Sequence, residues 1–307
     1  MSILFAGTPA NAAESLKLLV QSGADISLVL TRTDAKVGRK GLLTPSPVAQ
    51  VAAELGLPVI KANRYNAELG LQLAGKGIEF AIVIAYGALL PNTALSLLPK
   101  GWFNLHYSVL PAWRGAAPVQ WALINGSKTT GVTLFKIDEG LDTGQVLNVA
   151  HTSIEPGEDA GRLLERLTTL GVSLVLESLP LLHSGVFELR EQIGEVTLAP
   201  KLSKADGFTD FAEESSMVLN RILGVTPEPG AWTTLHGQVL KILEAKPASI
   251  ADLSVGEVVI RDGSVLVGCS QGSLELVEVQ PAGKNRMKAT DWFRGLRADT
   301  VRLAAND

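Results

Sequence analysis

The stretch FNLHYSVLPAWRG at 103–115 carries an amide and an imidazole two residues apart, Asn104 and His106. In an extended strand residues i and i+2 leave the same face, about 6.5–7 Å apart along the chain. An amide donor beside an imidazole can hold a carbonyl and the negative charge that develops on its oxygen. A lone buried histidine is more often a satisfied core residue, but the neighbouring Asn104 shifts the balance towards chemistry. Leu110-Pro111 then bends the chain, and this turn is expected to offer free backbone N–H and C=O groups to a planar ligand. A second stretch, IDEGLDTG at 137–144, sets Asp138, Glu139 and Asp142 among glycines. Glu139 reads as a solvated turn residue. Asp142 is the candidate to orient a histidine or take a proton, its glycines letting backbone approach a ligand. No second His or Cys stands at metal-ligand spacing, so no metal is expected. The loop TRTDAKVGRKGLLTPSP at 31–47 is long and basic, with Arg32, Lys36, Arg39 and Lys40. It is either a solvated loop or one that reaches the phosphates of a polyanion. AGTP at 6–9 lacks the three glycines of a dinucleotide fingerprint and reads as a tight strand-to-helix turn beside a cleft.

Elements must exist to position these residues. Short apolar runs at 3–6, 26–30, 59–60, 80–85, 102–106, 132–137 and 146–150 alternate with helical patterns. Ser46-Pro47 opens one helix as N-cap and first residue, and a long helical pattern covers about 159–184. Near-continuous apolar strands separated by helices predict an α/β fold, a mostly parallel sheet with helices on both faces. Sites in such sheets gather at the carboxyl ends of the strands. Residues 186–207 break the rhythm and look like a linker. After an amphipathic segment near 211–223, five short runs at 231–235, 239–245, 257–261, 265–269 and 274–279 read as strands only. His236-Gly237 and Asp262-Gly263 mark hairpin turns. Such a series fits a small β-barrel, with the OB type as candidate.

A chain of 307 residues suits two domains, and 46% hydrophobic with 19% charged residues fits a globular protein with a sizeable core. The net charge of −4 excludes an overall basic signature of nucleic-acid binding. The single cysteine, Cys269, allows no internal disulfide and suits a reducing compartment. MSILFAGTP has no basic n-region, so no signal peptide is expected. No uncharged apolar run reaches the roughly 20 residues of a membrane span, and the expected location is the cytoplasm, without membrane contact.

FNLHYSVLPAWRGAAPVQWAL followed by GVTLFKIDEGLDTG resembles the signature of the 10-formyltetrahydrofolate-dependent formyltransferases. IAYGALLP (84–91), TPSPV (44–48), PKLSK (200–204) and QPAGKNRM (280–287) are similar to the branch of that family acting on methionyl-tRNA. The resemblance covers nearly the whole chain. It implies a Rossmann-like catalytic domain over 1–187, a linker over 188–207, and an OB-like tRNA-binding domain over 208–307. It implies formyl transfer from 10-formyltetrahydrofolate, as co-substrate, to the amino group of initiator methionyl-tRNA by a monomeric enzyme of translation initiation. Asn104, His106 and Asp142 then occupy catalytic positions: Asn104 and His106 on the oxyanion, Asp142 holding His106 in its working tautomer. Ser108, Val109, Leu110 and Pro111, with Ile84, Tyr86 and Gly87, fall on the folate-contact stretches. Arg39, with Lys36 and Lys40, falls on the tRNA-contacting loop, and Lys284, Arg286 and Lys288 on a basic patch of the C-terminal domain. That domain departs from the family's often basic character. Residues 204–307 hold 11 Lys and Arg against 14 Asp and Glu, with positive charge concentrated at 284–302. An amino-sugar-nucleotide formyltransferase shares the Asn-His-Asp set and is the rival enzyme. The basic loop at 31–47 and PKLSK argue against it. A glycinamide ribonucleotide formyltransferase normally lacks the C-terminal domain. A non-catalytic folate- or RNA-binding protein leaves Asn104, His106 and Asp142 unexplained. Arg114 has no role that the sequence separates from a structural one.

Overall fold

The apolar runs of the first half become a seven-stranded sheet in a computed structural model that describes residues 2–38, 41–249 and 252–304. Across the sheet the strands run Val146–Ser153, Thr129–Lys136, Gly101–His106, Ile78–Ile84, Ser2–Gly7, Ile26–Thr31, Val59–Lys61. The five from Gly101–His106 to Val59–Lys61 are parallel, and Thr129–Lys136 is antiparallel to Gly101–His106. This is the mostly parallel, Rossmann-like sheet that the runs predict. From Ser2–Gly7 the chain moves outward one way, then returns on the other side with Ile78–Ile84. That reversal opens a crevice at the carboxyl ends of the strands, where the Thr8 hydroxyl donates to the Tyr86 carbonyl at 2.8 Å.

Local sequence sets the covering helices. Ser46 caps Pro47–Glu54 by accepting the Ala49 N–H at 3.0 Å. Asn66 caps Ala67–Leu73 in the same way at 2.8 Å. The 25-residue helix Ala160–Ser184 is long and apolar enough to cross a membrane by length and composition, a property the sequence reading did not anticipate. It is a core helix: Leu163, Leu167, Val175 and Leu182 are fully buried. A Cβ at Gly171 would meet Leu105 Cδ2 at 2.5 Å, so this helix lies directly on the Leu105 face of strand Gly101–His106. Alternation then turns Asn104 and His106 to the opposite face. The expected loop at 31–47 contains a short hairpin, Ala35–Val37 with Leu42–Thr44.

The chain forms two compact units. The first comprises residues up to Gly115, Thr130–Thr152 and Leu164–Leu198; the second comprises Ala116–Thr129, Ser153–Leu163 and residues from Ala199 on. The division does not follow chain order as the limits 1–187, 188–207 and 208–307 do. Helix Pro118–Ile124 packs in the second unit on Ser215–Val225, where a Cβ at Gly224 would lie 2.6 Å from Ile124 Cγ1. In that unit an antiparallel sheet runs Ala231–Leu235, Gln238–Ala248, Ser273–Pro281, Ser264–Gly268, Glu257–Arg261, Thr300–Arg302. His236-Gly237 and Asp262-Gly263 take positive φ at both residues, the conformation that two-residue hairpin turns require. The last strand curls the sheet round on itself. It pairs with Glu257–Arg261, and the next residue but one, Ala304, donates its N–H to the Thr234 carbonyl of the opposite edge at 2.9 Å. The region expected to hold only strands also contains helix Ala289–Leu296, whose Ala289, Trp292 and Phe293 are buried in the second core.

Candidate active site

His106 ends its strand and is 5% exposed. Its Nε2 lies 2.9 Å from the Trp113 carbonyl oxygen. A carbonyl only accepts, so Nε2 carries the hydrogen and donates. Burial pushes the imidazole below the ordinary histidine range, against the opposing influence of the Asp142 charge and the Trp113 bond. The ring is therefore neutral at pH 7, and its Nδ1 is a bare lone pair. Asp142 Oδ2 stands 3.7 Å from that Nδ1, too far for a hydrogen bond and with no hydrogen to share. The tautomer expected to be set by Asp142 is set instead by the Trp113 carbonyl. What faces Asp142 is a second acceptor. Nδ1 and the carboxylate together suit an incoming N–H donor. Asn104 is half-buried on the same strand face, and its amide makes no hydrogen bond among the described residues.

Two strained residues build this arrangement. Trp113 has φ +62° and Asp142 φ +53°; a left-handed conformation costs a non-glycine residue about 1–2 kcal/mol. Asp142 recovers part of that through Oδ2, which accepts the Gly115 N–H at 2.8 Å. The glycines of IDEGLDTG serve the protein's own packing rather than a ligand's approach. A Cβ at Gly144 would overlap the Lys136 carbonyl oxygen, and one at Gly140 would overlap the Thr143 side chain. Gly144→Ala is therefore expected to displace the Asp142 loop. Thermal melts should show a loss of about 1–3 kcal/mol, typical of overpacking, together with most of the activity.

The 108–111 turn differs from expectation. Its polar groups are largely taken by the protein. The Ser108 hydroxyl donates to the Ala112 carbonyl at 2.5 Å, and the Ser108 carbonyl accepts from Thr133 Oγ1 at 2.7 Å. The Leu110 N–H donates to Thr133 Oγ1 at 3.1 Å, and the Val109 carbonyl accepts the Ala112 N–H at 3.1 Å. The Leu110-Pro111 peptide is cis. Ser108, Leu110 and Pro111 are buried, leaving Val109 half-exposed. Ile84 and Tyr86 belong to the core; the Tyr86 hydroxyl donates to the Ala62 carbonyl at 2.8 Å, and burial pushes its pKa up to about 12. Gly87 reaches the surface at φ +79°.

Of the basic residues, Lys36, Lys284 and Lys288 are exposed. Arg286 is engaged by Glu278 through both ends of its guanidinium, so it is not a free cation. Arg39 and Lys40 lie outside the described residues. Residue-by-residue reading missed Trp113, Thr197 and Gln192. Trp113 acts through its backbone, and Gln192 and Thr197 sit in what reads as linker; no side-chain pattern marks them.

A Rossmann-like sheet that ends one strand in an amide and a neutral imidazole, with a carboxylate beside them, places a candidate group-transfer site at the carboxyl edge. Residues 1–179 match the family model described as formyl transferase, and residues 201–297 match formyl transferase, C-terminal domain. The chain belongs to the formyl transferase family, and it is a transferase. It is 48% identical over 296 residues to the methionyl-tRNA formyltransferase of Arthrobacter sp. (strain FB24), covering 96% of this chain and 97% of that one. It is 42% identical over 303 residues to the methionyl-tRNA formyltransferase of Corynebacterium diphtheriae, covering 97% of each. Among solved structures, the N-formyltransferase from Helicobacter canadensis, with folinic acid and dTDP-3-aminofucose, aligns with TM-score 0.69 at 17% identity, over 91% of this chain and 98% of that one. HypX from Aquifex aeolicus, in complex with tetrahydrofolic acid, aligns with TM-score 0.66 at 18% identity, over 95% and 46%. At those identities the two structures speak for the fold.

Proposed function

We propose that the chain transfers the formyl group of 10-formyltetrahydrofolate to the α-amino group of methionine on initiator tRNA, in the cytoplasm, for initiation of translation. Its likeness to methionyl-tRNA formyltransferases runs through both domains. The observation that carries the chemistry is the neutral His106, with Nε2 occupied by Trp113 and Nδ1 open beside Asp142. The amine attacks the formyl carbon, and charge develops on the formyl oxygen, where the unoccupied Asn104 amide donates; losing one such donor costs about 10²–10³ in rate. The attacking amine gives a proton to His106 Nδ1. The resulting imidazolium is held by Asp142 on one side and the Trp113 carbonyl on the other. It can then return the proton to N10 as the carbon–nitrogen bond breaks. His106 thus contributes to the oxyanion as an imidazolium, after it has taken the proton.

The test is incubation with labelled 10-formyltetrahydrofolate and, in parallel, Met-tRNA or amino-sugar nucleotides. Formyl-methionyl-tRNA is the expected product. Label on an amino sugar instead overturns the reading. We assign tRNA backbone contact to the basic loop with Arg39, Lys36 and Lys40, and to Lys284 and Lys288. Arg39→Ala should weaken tRNA use and lower the slope of log affinity against log salt by about one. A small methionyl ester should be used as well as before. Equal losses on both substrates refute the tRNA role.

A further inference from the structure

We propose that residues 190–197 form a positioning strap for this reaction: Gln192 and Thr197 fix the two backbone segments that face the two ring nitrogens of His106. The strap lies between the two matched domains, in the interval 180–200 that neither family model covers. The proposal rests on the formyl-transfer reading for its kinetic consequence, not for its geometry.

The strap is anchored first. Arg190 exchanges both backbone hydrogen bonds with Val146, at 2.7 and 2.9 Å, and Glu191 accepts from Gln145 at 2.5 Å. Within a run of exposed residues, Gln192 alone of positions 191–196 turns inward. Its Nε2 donates to the carbonyls of Asp142 at 2.8 Å and Gly144 at 2.9 Å. Its Oε1 accepts from Arg114 Nε at 3.1 Å and Nη2 at 2.6 Å. One amide therefore satisfies four contacts and ties the 142–144 loop to the 113–115 segment. Thr197 completes the tie: its hydroxyl accepts the Trp113 N–H at 2.8 Å, and its carbonyl accepts the Arg114 N–H at 2.9 Å. Trp113 and Asp142, both in the left-handed region, are the residues whose carbonyl and carboxylate face Nε2 and Nδ1. Left-handed non-glycine residues persist only where their surroundings over-determine them, and the strap supplies that determination on both sides of the ring. Arg114 acquires a role here: it is held by Gln192 and holds it in return.

The test uses the full chain with Gln192→Ala, Gln192→Glu, Thr197→Val and Thr197→Ser, reading kcat, KM, the melting temperature and the NMR titration of His106. Gln192→Ala should lower kcat about 10- to 100-fold, as sub-ångström misplacement of reacting groups does, with KM for tRNA little changed. The His106 titration should fall to lower pH, because Asp142 is the charged group that raises it among the described residues. Gln192→Glu keeps the acceptor for Arg114 but cannot donate to two carbonyls, so it should lose rate similarly. It serves if Gln192→Ala does not fold. Thr197→Val should lose rate, and Thr197→Ser, which keeps the hydroxyl, should recover most of it. An unmoved His106 titration in Gln192→Ala, or an unchanged kcat in Gln192→Glu, whose added charge itself moves the ring's titration, overturns the strap. Wild-type protein that formylates no Met-tRNA overturns the functional reading alone, since the titration still decides the strap.

Discussion

Replacing His106 by Ala lowers kcat for formyl transfer at least 100-fold and leaves the fold in place. In the proposed mechanism the imidazole Nδ1 takes the amine's proton and returns it to the leaving nitrogen, and positioned acid–base groups contribute about 10²–10⁴ in rate. The fold survives because the ring's partner is one backbone carbonyl. Leaving the Trp113 carbonyl without its donor costs about 1–3 kcal/mol, which a melt will show as a modest shift. Turnover near that of the unaltered protein overturns the assignment. The wild-type pH profile gives a second check. The working form is the neutral ring, and burial holds its pKa below the usual histidine value. The part of the acid limb that His106 sets therefore lies below the ordinary histidine value of about 6.5, separate from any limb set by protonation of the substrate amine. An NMR titration of His106 at or above that value contradicts a desolvated ring.

Asp142→Asn is the second large effect, a loss of about 100-fold or more. The amide keeps the shape, and its oxygen can still accept the Gly115 N–H that Asp142 Oδ2 takes at 2.8 Å. What disappears is the negative charge 3.7 Å from Nδ1, which in the proposed mechanism stabilises the imidazolium formed when the amine gives up its proton. Because that charge opposes the downward push of burial, its removal moves the acid limb of kcat to still lower pH. A loss of rate with the limb moved upward contradicts an electrostatic role. Near-normal turnover contradicts any role for the carboxylate.

The elements of the first unit were legible in the sequence because buried parallel strands lack polar alternation and caps are local. Ser46-Pro47 and the strand runs at 3–6, 26–30, 80–85 and 102–106 needed no tertiary information. Helix Ala289–Leu296 went unread although its buried residues keep the i, i+3, i+4 spacing. Its surrounding basic residues drew a reading as charge, and Lys288 at its start is no capping residue. The side chains Asn104, His106 and Asp142 were candidates because residue type and spacing announce chemistry.

The sequence alone offered Asn104, His106 and Asp142 as candidates and the strand that delivers two of them, since those follow from residue type, period-2 alternation and apolar runs. Only the tertiary structure decided how they are poised. The hydrogen on His106 is placed by a carbonyl seven residues onward, Asp142 is aimed by a left-handed backbone, and both are held by a segment that reads as a spacer. Backbone carbonyls are the same in every residue, so a site governed by them leaves no mark on side-chain identity until folding brings the segments together.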